Sequence, residues 1–114
     1  MVTKHGYLYT ANLNPRSGTE PGKIRPVLVI QTNLLNETGH PSTWVLPCTT
    51  KLIGENQLRV LLPEKICGND ADCEVMIDQS RAIDNSRFKI ELGKVPLVLM
   101  KEIKQKLKIL AEIQ

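Results

Sequence analysis

The stretch Gly22–Gln31, GKIRPVLVIQ, decides the fold of this 114-residue chain. Its residues 27–30 are four consecutive apolar, β-favouring side chains, which is typical of a strand buried on both faces. Pro26 has no N–H to give to a sheet, so it fits only near the start of that strand. We therefore predict a strand over residues 25–31, with the charged Arg25 held at its mouth.

Six further segments have the composition of β-strands and are separated by turn segments rich in Gly, Pro, Asn and Asp. They are residues 7–13, 43–50, 58–62, 73–78, 81–84 and 87–92. In the last of these, Phe88, Ile90 and Leu92 alternate with charged residues, which predicts a half-buried antiparallel strand with those three side chains on one face. Residues 36–42 are assigned to a turn.

The hydrophobic period changes after Gly93, from two residues to three or four. Pro96 suits the first turn of a helix. An apolar stripe follows, made of Leu99, Met100, Ile103, Leu107, Ile109 and Leu110. It predicts one amphipathic C-terminal helix of about four turns. Short strands followed by one helix indicate a mainly β fold, a small β-barrel with a C-terminal α-helix, as a single domain over residues 1–114.

The charge balance disfavours a protein that coats nucleic acid with a basic surface and leaves nucleic-acid binding to a local site. The net charge is +3, and residues 94–114 account for it with five lysines against two glutamates. Aromatic residues are 4% of the chain, which disfavours an RNA-recognition sheet with stacked aromatics. Because the N-terminus has no hydrophobic signal region and no apolar run approaches about 20 residues, we expect a cytoplasmic protein without a membrane span.

The cysteines and histidines do not predict a metal site. The three cysteines are an odd number at spacings that match no zinc pair, and Cys48 lies inside an apolar strand segment as a small core residue does. His5 and His40 lie in polar segments and are expected at the surface. The chain contains no phosphate-binding or dinucleotide fingerprint, so we expect neither a metal nor an organic cofactor.

Arg25 and Thr49 are the first candidates for chemistry. A guanidinium fixed at the mouth of a buried strand binds phosphate in a bidentate way and stays charged at any working pH. The alternative is a surface arginine paired with Glu20. Thr49 and Thr50 end the predicted strand 43–50, where a hydroxyl either donates to a phosphate oxygen or bonds the local backbone of a turn.

The segment IDQSRAID, residues 77–84, gathers several polar side chains. If it is extended, Gln79 and Arg81 share one face and Asp78 and Asp84 share the other. A carboxylate so close to an arginine serves either acid–base chemistry or an ion pair at the rim of the barrel. The residues alone leave these two roles open.

The motifs in combination resemble one family. The order GYLYTANLNP, then GTEPGKIRPVLVI, then LPCTT, then DQSRAID, then a closing helix is similar to the MazF/PemK toxins, and closer to the MazF branch. These are mRNA interferases of type II toxin–antitoxin systems. The resemblance covers nearly the whole chain and implies an SH3-like barrel of the CcdB/MazF type that works as a homodimer.

The resemblance also implies roles for individual residues. Arg25 and Thr49 match the catalytic arginine and threonine of the family, and Glu20 matches a supporting acidic loop residue. Asp78 is a secondary catalytic or supporting candidate. The residues expected to contact RNA are Thr19, Lys23, Lys51, Gln79 and Arg81, with Arg16 beside them on the loop.

The implied activity is a metal-independent cleavage of single-stranded RNA at short motifs, which leaves a 2′,3′-cyclic phosphate and a 5′-OH. The implied partner, besides mRNA, is a cognate antitoxin that lays a disordered acidic C-terminal tail over the same cleft. A fixed Arg25 and a donating Thr49 suit this reaction, because charge gathers on the non-bridging phosphate oxygens in its transition state.

Two alternatives remain at this point. The first is a non-catalytic toxin of the same fold that binds DNA gyrase. Toxins of that kind depend on a C-terminal tryptophan, whereas this chain ends in LAEIQ and has Trp44 as its single tryptophan. The second is an inactive relative, because Tyr7 and Asn12 stand where many family members have aspartate.

Overall fold

Seven β-strands dominate the computed structural model, which describes residues 1–15, 18–19 and 23–114. They are β1 (Tyr7–Asn12), β2 (Ile24–Val29), β3 (Ser42–Thr49), β4 (Arg59–Leu62), β5 (Cys73–Met76), β6 (Arg81–Asp84) and β7 (Phe88–Lys94). The helices are α1 (Asn33–Glu37) and α2 (Leu97–Leu110), with short 3₁₀ helices at Ile77–Gln79 and Asn85–Arg87. The predicted fold class, mainly β with a C-terminal helix, is confirmed. No helix among the described residues has the length and apolar character needed to cross a membrane.

The strands pair in the order β4-β5-β3-β2-β1-β7, and β6 joins β3 as an additional neighbour. All pairs are antiparallel. The start of β3 pairs with β6, its middle with β2 and its end with β5. This long strand therefore connects both parts of the sheet.

Residues 27–30 are buried on both faces of the sheet, as predicted. Leu28 and Ile30 belong to a first core, which also contains Leu46 of β3 and Ile103 of α2. Val27 and Val29 belong to a second core on the other face, with Tyr9, Leu13, Val45, Ile83 and Phe88. Alternate side chains of one strand thus anchor it in two apolar clusters.

Helix α2 covers the first core, but its apolar stripe is shorter than predicted. Met100 and Ile103 are buried, and Leu99 and Leu107 pack at the margin. Ile109 and Leu110 are 54% and 47% exposed, so their assignment to the stripe is wrong. The reason is geometric: α2 packs against β4 and the 77–79 turn, and Leu107 is its last side chain packed against the core.

The prediction of a strand over residues 73–78 is wrong at its end. β5 stops at Met76, which pairs with Arg59, the first residue of β4. The chain then turns through Ile77–Gln79, and Ile77 N donates to the carbonyl of Leu58 at 2.9 Å. The facing argument for residues 78–84 therefore fails, because these residues do not form one continuous strand.

Two other local predictions are also corrected. Residues 33–37 form α1, where part of a turn was expected, and Thr32 Oγ1 caps the helix by accepting from Leu34 N at 3.3 Å. Ile90 is 61% exposed, although it was placed on the buried face of β7 with Phe88. The register between β1 and β7 shifts between Thr10 and Ala11, and such a shift interrupts the strict alternation of faces.

Candidate active site

Arg25 lies near the start of β2, opposite Ala11 of β1. Its Nη1 donates to the carbonyl of Cys48 at 3.4 Å, and the side chain is half-buried. Val27 pairs with Pro47 on β3, and the same register continued by two residues leads from Arg25 toward Thr49. Because β2 is buried on both faces, the backbone that carries the Arg25 side chain is held in place beside the end of β3.

Thr49 is the last residue of β3. Its Oγ1 accepts a hydrogen bond from Lys51 N at 3.1 Å, so the hydroxyl makes a bond to the local backbone of the turn. This bond fixes the oxygen and uses it as an acceptor, so the O–H remains a donor for another group. The turn role and a phosphate-binding role are therefore compatible.

Arg25 and Thr49 line one cavity of about 340 Å³, here called the first cleft. Its lining residues are Lys23, Ile24, Arg25, Pro26, Cys48, Thr49, Thr50 and Lys51. Three of them carry cationic side chains and two carry hydroxyls, while none of these eight is acidic. This composition suits an anionic ligand such as a phosphodiester.

Lys23 stands at the edge of the first cleft in an uncommon backbone conformation. Its φ is +69°, in the left-handed region that non-glycine residues rarely adopt. Its N–H donates to Asn14 Oδ1 at 2.7 Å, and its carbonyl accepts from Leu13 N at 2.8 Å. Such strain persists where neighbouring bonds impose it, and at functional sites it fixes a side chain.

Cys48 also lines the first cleft, but its thiol is not arranged as a nucleophile. A hydrogen bond with Cys73 and complete burial raise the pKa of Cys48 well above its ordinary value. Because the thiolate is the reactive form, Cys48 remains an inert core thiol. The structure agrees with its assignment to the core.

A second cleft, of about 270 Å³, contains other predicted site residues. Thr19, Asp78 and Gln79 line it, together with Ile53, Asn56, Leu58, Arg59 and Met76. Three of the predicted site residues are thus separate from Arg25 and Thr49 in the monomer. Arg81 lies on β6 opposite Val45.

The predicted roles of Glu20 and Arg16 lie outside the described residues. Across residues 1–15, 18–19 and 23–114, no cluster of three or more His, Cys, Asp and Glu side chains is placed to hold a metal ion.

Glu74 and Arg59 are structurally prominent residues that the sequence reasoning missed. Glu74 is 2% exposed, and its Oε1 accepts from Arg59 Nη1 at 2.9 Å. The two residues are 15 positions apart in the chain and lie on the paired strands β5 and β4. The available signal was a lone acidic residue within the apolar segment CEVMI, which a pairing of β4 with β5 would have matched to a cation.

Comparison with known proteins identifies the family of this chain. The model of the PemK-like, MazF-like toxins of type II toxin–antitoxin systems matches residues 4–111. The chain belongs to this family, which confirms the resemblance seen in the sequence. Proteins of such a system act with an antitoxin, and the antitoxin is therefore the partner class of this chain.

Individual relatives agree with this assignment. The chain is 31% identical to Endoribonuclease EndoA of Bacillus subtilis (strain 168) over 111 residues, which cover 96% of this chain and 94% of the relative. The crystal structure of MazF from Deinococcus radiodurans superimposes with a TM-score of 0.85 at 27% identity, covering 98% of each chain. A MazE-MazF structure from the same organism gives a TM-score of 0.80 at 28% identity, covering 100% and 99%.

Proposed function

We propose that this chain is a toxin endoribonuclease that cleaves single-stranded RNA, such as mRNA, at short sequence motifs without a metal ion and independently of the ribosome. The enzyme class agrees with the family and with the named relative. The observation that supports the assigned reaction is the lining of the first cleft. Arg25, Thr49 and two lysines line this cavity, and none of its described lining residues has a carboxylate.

The reaction is an internal transfer at phosphorus. The ribose 2′-oxygen attacks the adjacent phosphorus and forms a new P–O bond, while the bond from phosphorus to the 5′-oxygen breaks. The 2′-OH gives up its proton to a base, and the departing 5′-oxygen takes up a proton. The products are a 2′,3′-cyclic phosphate and a 5′-OH, so atoms and charges balance without a co-reactant.

Arg25 and Thr49 stabilise the transition state of this transfer. Negative charge grows on the non-bridging oxygens, where the guanidinium and the hydroxyl are donors already fixed by β2 and β3. Arg25 is not the base, because an arginine side chain keeps its proton at any working pH. Lys23 and Lys51 bind neighbouring phosphates, and Glu20 and Asp78 are supporting acidic residues.

The working form is a homodimer, and Gln79, Arg81 and Thr19 contact the RNA beyond the reacting phosphate. Exposed apolar side chains on the monomer, among them Leu97 and Val98, are surface that pairing of subunits can cover. The cognate antitoxin places a disordered, acidic C-terminal tail across the first cleft. Its carboxylates take the place of phosphates beside Lys23, Arg25 and Lys51.

The test is cleavage of a long, mixed-sequence single-stranded RNA in EDTA, with the 5′ ends mapped. We expect cuts at one recurring short motif that leave 5′-OH ends. Arg25→Ala should lower kcat by about 10²–10³-fold, the range seen when one transition-state donor is removed. Arg25→Lys keeps the charge but not the planar fork, so it should recover only part of the loss.

Absence of cleavage by the wild-type chain at high enzyme concentration would reject the proposal. Cleavage that persists unchanged in Arg25→Ala would reject the assigned site while leaving the enzyme class intact. Toxicity in cells that survives Arg25→Ala would favour the gyrase-binding alternative, which needs no phosphate chemistry.

A further inference from the structure

We propose that Glu74 is a positioning residue that fixes the position of the second cleft relative to the first. The inference rests on the proposed RNA cleavage. The Glu74 carboxylate is buried and has three donors: Ile53 N at 3.1 Å, Gly54 N at 3.0 Å and Arg59 Nη1 at 2.9 Å. Two of these donors are backbone amides of residues 50–58, the loop between β3 and β4, here called the β3–β4 loop.

Glu74 is placed between the two clefts by the sheet itself. In the ladder of β3 and β5 its direct partner is Thr49, the catalytic candidate of the first cleft. Its ion-pair partner, Arg59, lines the second cleft. One side chain therefore connects the end of β3, the β3–β4 loop and the start of β4.

The β3–β4 loop contributes to both clefts. Thr50 and Lys51 line the first cleft, and Ile53, Asn56 and Leu58 line the second. A change in the path of residues 51–54 would alter the distance between the groups that hold the reacting phosphate and the groups that form the second cleft. The Glu74 carboxylate fixes that path by accepting from two consecutive amides.

The far end of the loop is held separately. Lys106 of α2 donates from Nζ to the carbonyl of Asn56 at 2.7 Å and to that of Arg59 at 3.0 Å. Loss of the Glu74 bonds would therefore release residues 53 and 54, while Lys51 N stays bonded to Thr49 Oγ1 and residues 56–59 stay attached to α2. The expected effect of losing the Glu74 bonds is therefore local to the β3–β4 loop. A local change of this kind can be distinguished from a general loss of stability.

The chemistry of the second cleft suits a nucleobase beside the cut. Glu74 compensates the charge of Arg59, so the cationic character of this cleft is reduced. Ile53, Leu58 and Met76 offer apolar contact to a base, and the side-chain amides of Asn56 and Gln79 offer both donors and acceptors to its edge. We infer that this cleft selects a base flanking the reacting phosphate, and that Glu74 sets where that selection occurs.

The experiment compares Glu74→Gln with the wild-type chain on two RNAs. One RNA contains the motif found by the mapping above, and the other carries a single changed base beside the cut. Glutamine keeps the size of the side chain but loses the charge and one acceptor oxygen. We expect KM for the motif RNA to rise about tenfold, as for a lost hydrogen bond to a charged group, and the preference over the changed RNA to fall. We expect kcat to change less than KM.

Glu55→Gln is the matched control, because it removes the same charge from an exposed position of the same loop. It should keep the KM and the preference of the wild-type chain. Glu74→Asp keeps the charge but is one methylene shorter, and should fall between the wild-type chain and Glu74→Gln. A purely structural role would lower stability without this ordered change in preference.

Backbone amide hydrogen exchange keeps the proposal testable if a variant folds poorly. In Glu74→Gln we expect the amides of Ile53 and Gly54 to lose protection while those of β3 and β5 keep it. In the wild-type chain, the same two amides should change chemical shift when motif RNA with a 2′-deoxy residue at the cut is added. This last measurement needs no variant.

Three outcomes would overturn the inference. They are wild-type amides 53 and 54 that do not respond to RNA, an unchanged preference in a folded Glu74→Gln chain, and a loss confined to kcat. Failure of the proposed function is distinct, because it appears as a wild-type chain that cleaves no RNA at all.

Discussion

At the scale of single residues, the Thr49 hydroxyl has two separable tasks. Its oxygen accepts a hydrogen bond from Lys51 N, and in the proposed reaction its O–H donates a hydrogen bond to a phosphate oxygen. Thr49→Val keeps the shape and removes both tasks, so we expect kcat to fall by about 10²-fold. Thr49→Ser keeps the hydroxyl and should retain most of the activity. Steady-state kinetics on a short motif RNA measure both variants, and a Thr49→Val enzyme with wild-type kcat would contradict the assignment.

Tyr9 makes the stability of the folded chain depend on pH, and this effect does not involve the residues of either cleft. Burial, and then the nearby Glu91 carboxylate, raise its pKa from 10.0 to about 12, against the opposing bond from Lys4 N. The folded chain therefore holds the phenol proton more tightly than the unfolded chain does. The stability that this contributes is complete below pH 10 and is lost as the pH rises through about 12.

The Tyr9→Phe variant tests that pH dependence. Between pH 10 and pH 12 the free energy of unfolding of the wild-type chain should fall more steeply than that of Tyr9→Phe. Urea titrations at several pH values measure both slopes. Parallel curves across this range would show that the phenol of Tyr9 titrates alike in the folded and unfolded chains.

At the scale of elements, α2 contributes to stability through its first three turns. Ile103 is fully buried in the first core, so Ile103→Ala should lower the free energy of unfolding by about 2–5 kcal/mol. Ile109 belongs to the same helix but is exposed, and Ile109→Ala should change it by about 0.5 kcal/mol or less. Urea denaturation compares the two, and equal losses would contradict the observed end of the apolar stripe.

The same helix shows what a sequence pattern predicts and what it misses. Periodicity correctly predicted α2 and its face, because Leu99, Ile103 and Leu107 repeat at helical spacing over several turns. It could not show where the helix passes the edge of the sheet, since Ile109 and Leu110 continue the pattern beyond the contact. That limit is set by tertiary packing.

The strands show a similar division. Residues 27–30 were identified because four β-favouring residues in a row leave few alternatives. The 3₁₀ turn at Ile77–Gln79 was missed because local composition there resembles a strand, and the end of the strand depends on β4. The α1 helix has five residues, which is too short to establish a helical period.

The candidate site was predictable in part for a comparable reason. Arg25 and Thr49 were selected as candidates because each stands at the end of a recognisable strand and matches a family motif, and both line one cleft of the structure. Asp78 and Gln79, which were named for supporting and RNA-contacting roles, line the second cleft. Glu74 was missed since its partners come from another strand and from a loop, and no local pattern announces them.

At the scale of the whole molecule, charge should govern RNA binding modestly. The net charge is +3, and three cationic side chains line the first cleft. If each binds one phosphate, log(kcat/KM) at low substrate should fall with log salt at a slope of roughly −2, from about −0.7 per phosphate for a single strand. Lys51→Gln should reduce the slope by about 0.7. A slope near zero would show that phosphates do not contact this cleft.

The burial of β2 in both cores determines how this toxin loses activity when it unfolds. Its alternate side chains belong to both cores, so a molecule that loses either core also loses the support beneath Arg25. Inactivation by heat or denaturant is then all-or-none: each molecule is either folded and fully active or unfolded and inactive. The residual activity of a partly inactivated sample therefore counts the surviving molecules, and each survivor retains its full potency.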